Sequence, residues 1–155
     1  MATTATAKEG NKASLTLLQN EQNAEAEPDQ TDDLLKLAQS RNSTEREEAI
    51  GALLADWREG DPNVKAALEL ALTDQDDSVR TQAISSLSHR EGSSAAGAIQ
   101  EALRDSSVDV RLMAVDSITD DNPLLQQAIN DSDETVRSLA ATKLEQLTQE
   151  DGAAE

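Results

Sequence analysis

The sequence predicts an all-α protein, a short right-handed α-solenoid of about four stacked helical hairpins. Three observations lead there. First, the segments TDQDDSVRTQAISSL (Thr73–Leu87), RDSSVDVRLMAVDSI (Arg104–Ile118) and NDSDETVRSLAATKL (Asn130–Leu144) share D-x4-V-R-x2-A, with an aliphatic residue four positions after the alanine. A unit this short cannot bury its own apolar face, so its copies must stack. Second, the apolar residues fall at helical spacing. Third, 37% of the chain is hydrophobic, with no Phe or Tyr and one Trp. A core of Leu, Ile, Val and Ala suits helices, whereas sheets favour β-branched and aromatic residues.

Residues 1–30 are rich in Ala, Thr, Asn, Gln and Glu, have little to bury, and are expected to form a disordered tail. The apolar knot Leu15–Leu18 within it reads as a transient helical turn in preference to a docking motif. The repeat domain spans 31–148, divided into a degenerate cap (31–60) and repeats 61–92, 93–120 and 121–148; residues 149–155 form a flexible acidic C-terminus. Each repeat is expected to hold an A helix, a turn and a B helix. In the cap, Leu34 and Ala38 belong to A, while Arg46, Ala49, Ile50 and Leu53 belong to B; Glu45 stands where other repeats have Val. A terminal unit has one face in water, which permits such divergence.

The second repeat carries Val64, Leu68, Ala71 and Leu72 on its A stripe and Val79, Ala83, Ile84 and Leu87 on its B stripe, the latter at i, i+4, i+5 and i+8. The third has Ala95, Ile99, Ala102 and Leu103, then Val110, Ala114, Val115 and Ile118. The fourth has Leu125, Ala128 and Ile129, then Val136, Ala140, Ala141 and Leu144. The uneven spacing of Arg46, Arg80, Arg111 and Arg137 indicates that the last repeat has lost part of its A helix. Asp61–Pro62 and Asp121–Asn122–Pro123 pair a capping side chain with a Pro suited to a first turn. At the B-helix starts one aligned position holds Asn42, Asp76, Ser107 and Asp133, all able to accept from a first-turn N–H.

The pattern carried by Asp74, Val79, Arg80 and Ala83, by Asp105, Val110, Arg111 and Ala114, and by Asp131, Val136, Arg137 and Ala140 resembles the HEAT-like repeat, in the branch shared with phycobilin lyases. The likeness covers 61–147 well and 31–60 weakly. Such repeats serve as scaffolds, chaperones, lyase subunits and adaptors. The resemblance implies that Asp74, Asp105 and Asp131 join Arg80, Arg111 and Arg137 in a structural ladder between neighbouring repeats, since the two residue types recur at repeat-locked positions and Arg–carboxylate hydrogen bonds are strong.

The formal net charge of −18, from 13 basic and 31 acidic residues, argues against nucleic-acid and anionic-membrane binding and favours a basic partner. No Cys is present, which excludes disulfides, thiolate metal sites and a Cys nucleophile. Asp74-x-Asp76-Asp77 and Asp131-x-Asp133-Glu134 start like calcium loops, but Val79 and Val136 occupy the position of the required Gly, so helix capping explains them better. His89, the single histidine, suits a B-helix C-terminus and cannot build a His-based zinc site alone. Trp57 is expected to pack between the first repeats. If Met1 is the native start the protein is expected in the cytoplasm; a trimmed leader would place it in the periplasm or on a membrane anchor.

Opposite the B-helix core stripe lie Gln82 and His89 in one repeat, Leu112, Met113, Asp116 and Asp120 in the next, and Leu139 in the last. Leu112, Met113 and Leu139 stand out on a polar face. Either Met113 and Leu139 complete contacts between adjacent B helices, the preferred reading, or they form a small apolar patch rimmed by acids. The function expected is a non-catalytic, monomeric interaction scaffold or adaptor, without cofactor or metal. It would bind a protein or peptide of basic character on the B-helix face, with Gln82, His89, Leu112, Met113, Asp116 and Leu139 as candidate contacts. The alternative is an accessory subunit of a lyase-type or other enzyme, and behind it an acidic nucleic-acid-mimicking inhibitor.

Overall fold

A computed structural model describes residues 29–55, 61–120 and 122–153. The helices are α1 (Asp29–Leu37), α2 (Ser43–Ala55), α3 (Pro62–Ala71), α4 (Asp77–Glu91), α5 (Ala96–Ala102), α6 (Val108–Asp116), α7 (Asn122–Ala128) and α8 (Glu134–Ala153), with a 3₁₀ turn at Gly92–Ala95 before α5. There is no strand among the described residues. Odd-numbered helices are the A helices and even-numbered ones the B helices, so the hairpins follow the repeat period.

Each A-to-B turn is built alike. In the second repeat Thr73 and Asp74 donate their N–H groups to the carbonyls of Leu70 and Ala71, closing the end of α3. Arg104 and Asp105 do the same on Glu101 and Ala102, and Asn130 and Asp131 on Gln127 and Ala128. The loop carboxylate then accepts the N–H two residues on: Asp76 to Asp74 at 2.9 Å, Ser107 to Asp105 at 2.9 Å, Asp133 to Asp131 at 2.8 Å. Side-chain caps follow, Asn42 accepting from Thr44 N–H, Asp76 from Ser78 and Asp133 from Thr135. Asp61 caps α3 through Asn63 N–H. Gly92, at φ 53°, ends α4 in a left-handed conformation that a side chain would strain.

Ser107 departs from the expected capping role. Its side chain makes no cap bond; the hydroxyl donates instead to the Asp77 carboxylate at 2.9 Å, in the preceding repeat. The hydroxyl is turned to donate to this charged acceptor, and its oxygen accepts from no first-turn N–H. The cap expected at Asp121, the packing of Trp57 and the knot Leu15–Leu18 lie outside the described residues.

One core runs through the repeats, from Ile50 and Leu53 through Leu68, Val79, Ile84 and Val115 to Leu125, Val136 and Ala140. Successive repeats meet chiefly through their B helices, α2 on α4, α4 on α6 and α6 on α8. Three expectations need correcting. Helix α1 starts at Asp29, inside the segment read as tail. Helix α8 runs through Ala153, across residues read as a flexible terminus; Leu144 and Leu147 pack on the core and the intervening residues are good helix formers. Ala141, placed on the core stripe, is exposed, because no further B helix among the described residues covers it.

Candidate functional site

The ladder residues lie at the A-to-B turns. Arg80 donates from Nε and Nη2 to the two carboxylate oxygens of Asp105, both at 2.9 Å, and from Nη1 to the carbonyl of Asp74 at 2.8 Å. Arg111 reaches Asp131 at 2.9 and 3.2 Å and the Asp105 carbonyl at 2.9 Å. Arg46 reaches Asp74 twice at 2.8 Å and the Ser40 carbonyl at 2.9 Å. Thus each arginine pairs with the aspartate of the following repeat and holds the backbone of its own loop. Arg137 holds the carbonyls of Asp131 and Ser132 at 2.8 and 3.0 Å.

The Arg46 hydrogen bond draws the Asp74 carboxyl below its ordinary pKa, aided by the Asp76 N–H and opposed by burial. At Asp105 burial is the largest influence and works upward, but the Arg80 fork and the Ser107 N–H outweigh it and the net shift is down. Both carboxyls are therefore anions at neutral pH, with every oxygen engaged by a donor.

A second repeat-locked device sits six residues after the arginine. Ser86, fully buried, donates from Oγ to the Ile50 carbonyl at 3.5 Å, on the preceding B helix. Lys143 occupies the aligned position in the last repeat and donates from Nζ to the Val115 carbonyl at 3.2 Å and to the Asp116 carbonyl. Ile50 and Val115 are themselves aligned, four residues after Arg46 and Arg111. The ammonium thus closes the C-terminus of α6, where carbonyls are free and the dipole favours a cation. Burial lowers the Lys143 pKa, with the Asp116 charge pulling the other way. This contact was not anticipated from sequence, although the alignment of Ser86 with Lys143 is its signal.

Of the six candidate contacts on the B-helix face, His89, Met113 and Asp116 come together. With Ser85, Ser88, Ser117 and Thr119 they line a groove of about 250 Å³ between α4 and the end of α6. His89 Nδ1 lies 3.3 Å from the Ser85 carbonyl one turn back. The other three lie apart from it. Gln82 is half-buried, bonded to Ser86 Oγ at 3.3 Å and lying along α2, where a Cβ on Gly51 would come within 3.2 Å of its amide. Leu112 and Leu139 are half-buried and pack on the core, as does the inner side of Met113. Asp120 falls beyond the end of α6, which stops at Asp116.

The A side carries larger grooves. Leu35, Ala38 and Gln39 of the first hairpin face Asn63, Ala66, Ala67 and Leu70 of α3 across about 530 Å³, with Arg46 and Asp74 beneath. Glu69, Leu72 and Thr73 face Ala98, Glu101 and Ala102 across about 360 Å³, over Arg80 and Asp105. Aligned on Ser40, Asp74 and Asp105, these are one groove repeated, with Leu35 and Leu70 where the next copy has Glu69 and Glu101. Leu70 is 67% exposed.

Among the described residues no three acidic or histidine side chains converge as a metal site, and no helix is long and apolar enough to cross a membrane. Comparison with protein families matches the HEAT-repeat model to residues 31–119, more than half of the chain. A search of curated proteins gives no match.

Proposed function

The chain belongs to the HEAT-repeat family, whose repeats commonly form protein-interaction scaffolds, and from that premise we propose that it is a non-catalytic adaptor receiving a basic, partly apolar protein segment on its B-helix face. The observation that carries this reading is the groove joining His89, Met113 and Asp116. Its apolar floor is Met113, a side chain that adapts to irregular partners. Its rim is hydroxyl-rich and holds Asp116, exposed to solvent and set in a chain of net charge −18. Opposite charge speeds encounter with a basic segment, while the buried centre sets residence time. The alternative of an accessory subunit for a lyase-type enzyme uses the same surface for a different partner. It has less support, since the groove holds one histidine and one acid.

A second surface is favoured by a specific observation. The first A-side groove has leucines at Leu35 and Leu70, at positions where the next groove has glutamates. One experiment separates the two. Pull-downs from a native-host extract are run with the wild type, Asp116→Lys and Leu70→Asp, each over a salt series. Loss with Asp116→Lys, and wild-type capture that weakens with salt, supports the B-face groove. Loss with Leu70→Asp alone moves the site to the A side, and retention by both variants refutes both surfaces.

A further inference from the structure

The two A-side grooves form a pair, and we propose that together they bind one extended peptide segment carrying an apolar and a basic side chain three residues apart. Helix α3 is the wall that the grooves share. Its Leu70 faces the first groove and its Glu69 the second. Residues adjacent on a helix point about 100° apart, so one turn of α3 presents opposite chemistry to its two sides. The first groove sets Leu35 against Leu70, and its charged lining residues, Arg46 and Asp74, neutralise each other through two bonds of 2.8 Å. The second sets Glu69 against Glu101 at the equivalent positions. Its lining holds Glu69, Glu101 and Asp105 against Arg80, and Arg80 is committed to Asp105. Both glutamates thus face that groove without a cation from its lining. Each has a basic neighbour outside it: Lys65 Nζ lies 4.0 Å from Glu69 but 3.3 Å from Glu91, and Arg104 lies 3.5 Å from Glu101. The two glutamate side chains are 57% and 78% exposed, and ion pairs so exposed hold weakly. A ligand cation seated between the two carboxylates gains from both.

Charge, polarity and spacing together set the occupant. An acidic rim over Leu72, Ala98 and Ala102 suits Lys or Arg, whose methylene stem packs on apolar surface while the head stays with the carboxylates. The neutral, alanine-lined first groove, with Ala38, Ala66 and Ala67, suits an aliphatic side chain. The grooves repeat with the array, and packed helices lie about 8–10 Å apart. A sheet strand alternates its side chains, so residues three apart point to opposite faces. A polyproline-type segment returns to the same face after three residues, about 9 Å on. Such a segment, laid across α3, places its apolar residue between Leu35 and Leu70 and its basic residue between Glu69 and Glu101. The inference builds on the A-side surface already named as the second candidate, and it is independent of the B-face groove.

The test uses synthetic peptides and the full-length chain. Fluorescein-labelled proline-rich peptides carry one Leu and one Arg, in either order, two, three or four residues apart, and binding is read by fluorescence anisotropy. The expected result is that a three-residue spacing, in one of the two orders, binds about 10-fold or more tightly than the other spacings. Glu69→Gln and Glu101→Gln should each weaken that peptide and flatten its salt dependence, while leaving a peptide with norleucine in place of Arg unaffected. Leu70→Asp should abolish binding. Circular dichroism should show all three variants folded, as their side chains are exposed. Asp116→Lys, on the B face, should bind the peptide like the wild type. Affinity that ignores the spacing, or that survives both glutamine variants, would overturn the inference even if Leu70→Asp still abolishes binding and so leaves the A-side surface standing. Loss of binding with Asp116→Lys, or no peptide bound at millimolar concentration, would overturn it as well.

Discussion

Between successive repeats the two layers of helices behave differently. On the B side neighbouring helices meet along a closed seam, with Ile50, Ile84 and Val115 buried at equivalent positions and polar crosslinks at Ser86 and Lys143. On the A side the same repeats leave open grooves of about 530 and 360 Å³. The period is shared, so the difference comes from side-chain size. The B stripe presents branched residues at the joint, while the groove walls are lined by Ala38, Ala66, Ala67, Ala98 and Ala102. Small residues fill too little space to close the gap. The B seam is therefore where stability resides, and the A grooves are where sequence can drift, as the exchange of Leu35 and Leu70 for Glu69 and Glu101 shows.

Breaking the seam should have the largest effect. Ile84→Ala is expected to cost about 2–5 kcal/mol in urea unfolding, the range for emptying a packed core site. The ladder comes next. Arg111→Ala strands Asp131, whose side chain is 9% exposed, and should cost about 1–3 kcal/mol. Arg137→Ala removes only contacts to its own loop and should cost less than half as much on the same measurement.

Acid should probe the same joints. Asp74 and Asp105 titrate lower in the folded chain than in the unfolded one. The unfolded chain therefore takes up protons first. The stabilisation is fully present above the unfolded carboxyl value of about 3.9 and is lost as pH falls through the lower folded values. Asp105→Asn should unfold more readily than wild type at pH 7, with the gap shrinking below pH about 4. A gap that stays constant with pH would detach the charge from the joint. The smallest effect is expected on the A side. Leu70→Ser should shift stability by no more than about 0.5 kcal/mol, because the residue is 67% exposed. A larger loss would mean that the groove wall bears structural weight.

Much of the fold was legible because helical spacing and aligned caps report on local structure. Apart from Leu72, which is half-buried, the stripes of the second and third repeats are buried as expected, and Asn42, Asp76 and Asp133 cap their helices. The surface was less legible. A helical wheel sees one helix, and Leu112, Met113 and Leu139 look misplaced on it because the neighbouring helix that half-covers them is absent from the wheel. Gln82 looked like a free polar contact for the same reason, although Gly51 leaves it a place against α2. Ala141 failed in the opposite sense, since no helix among the described residues lies over it. The A-side groove was missed because Leu35 and Leu70 read as ordinary helical apolar residues; the informative signal was their alignment with Glu69 and Glu101. Ser107 could not be assigned its partner from sequence, because Asp77 becomes its neighbour only when the repeats stack.

The arginine and aspartate contacts have a consequence for how the array comes apart. Each loop aspartate is gripped twice, its carboxylate by the preceding arginine and its carbonyl by its own, so Arg46, Asp74, Arg80, Asp105, Arg111, Asp131 and Arg137 form one continuous thread of bonds. Releasing an interior loop breaks the thread on both sides, whereas releasing the first or the last hairpin breaks it once. Opening is therefore expected to proceed like the ravelling of a cord from either end. Whatever holds an end hairpin in place therefore slows the ravelling of repeats it never touches.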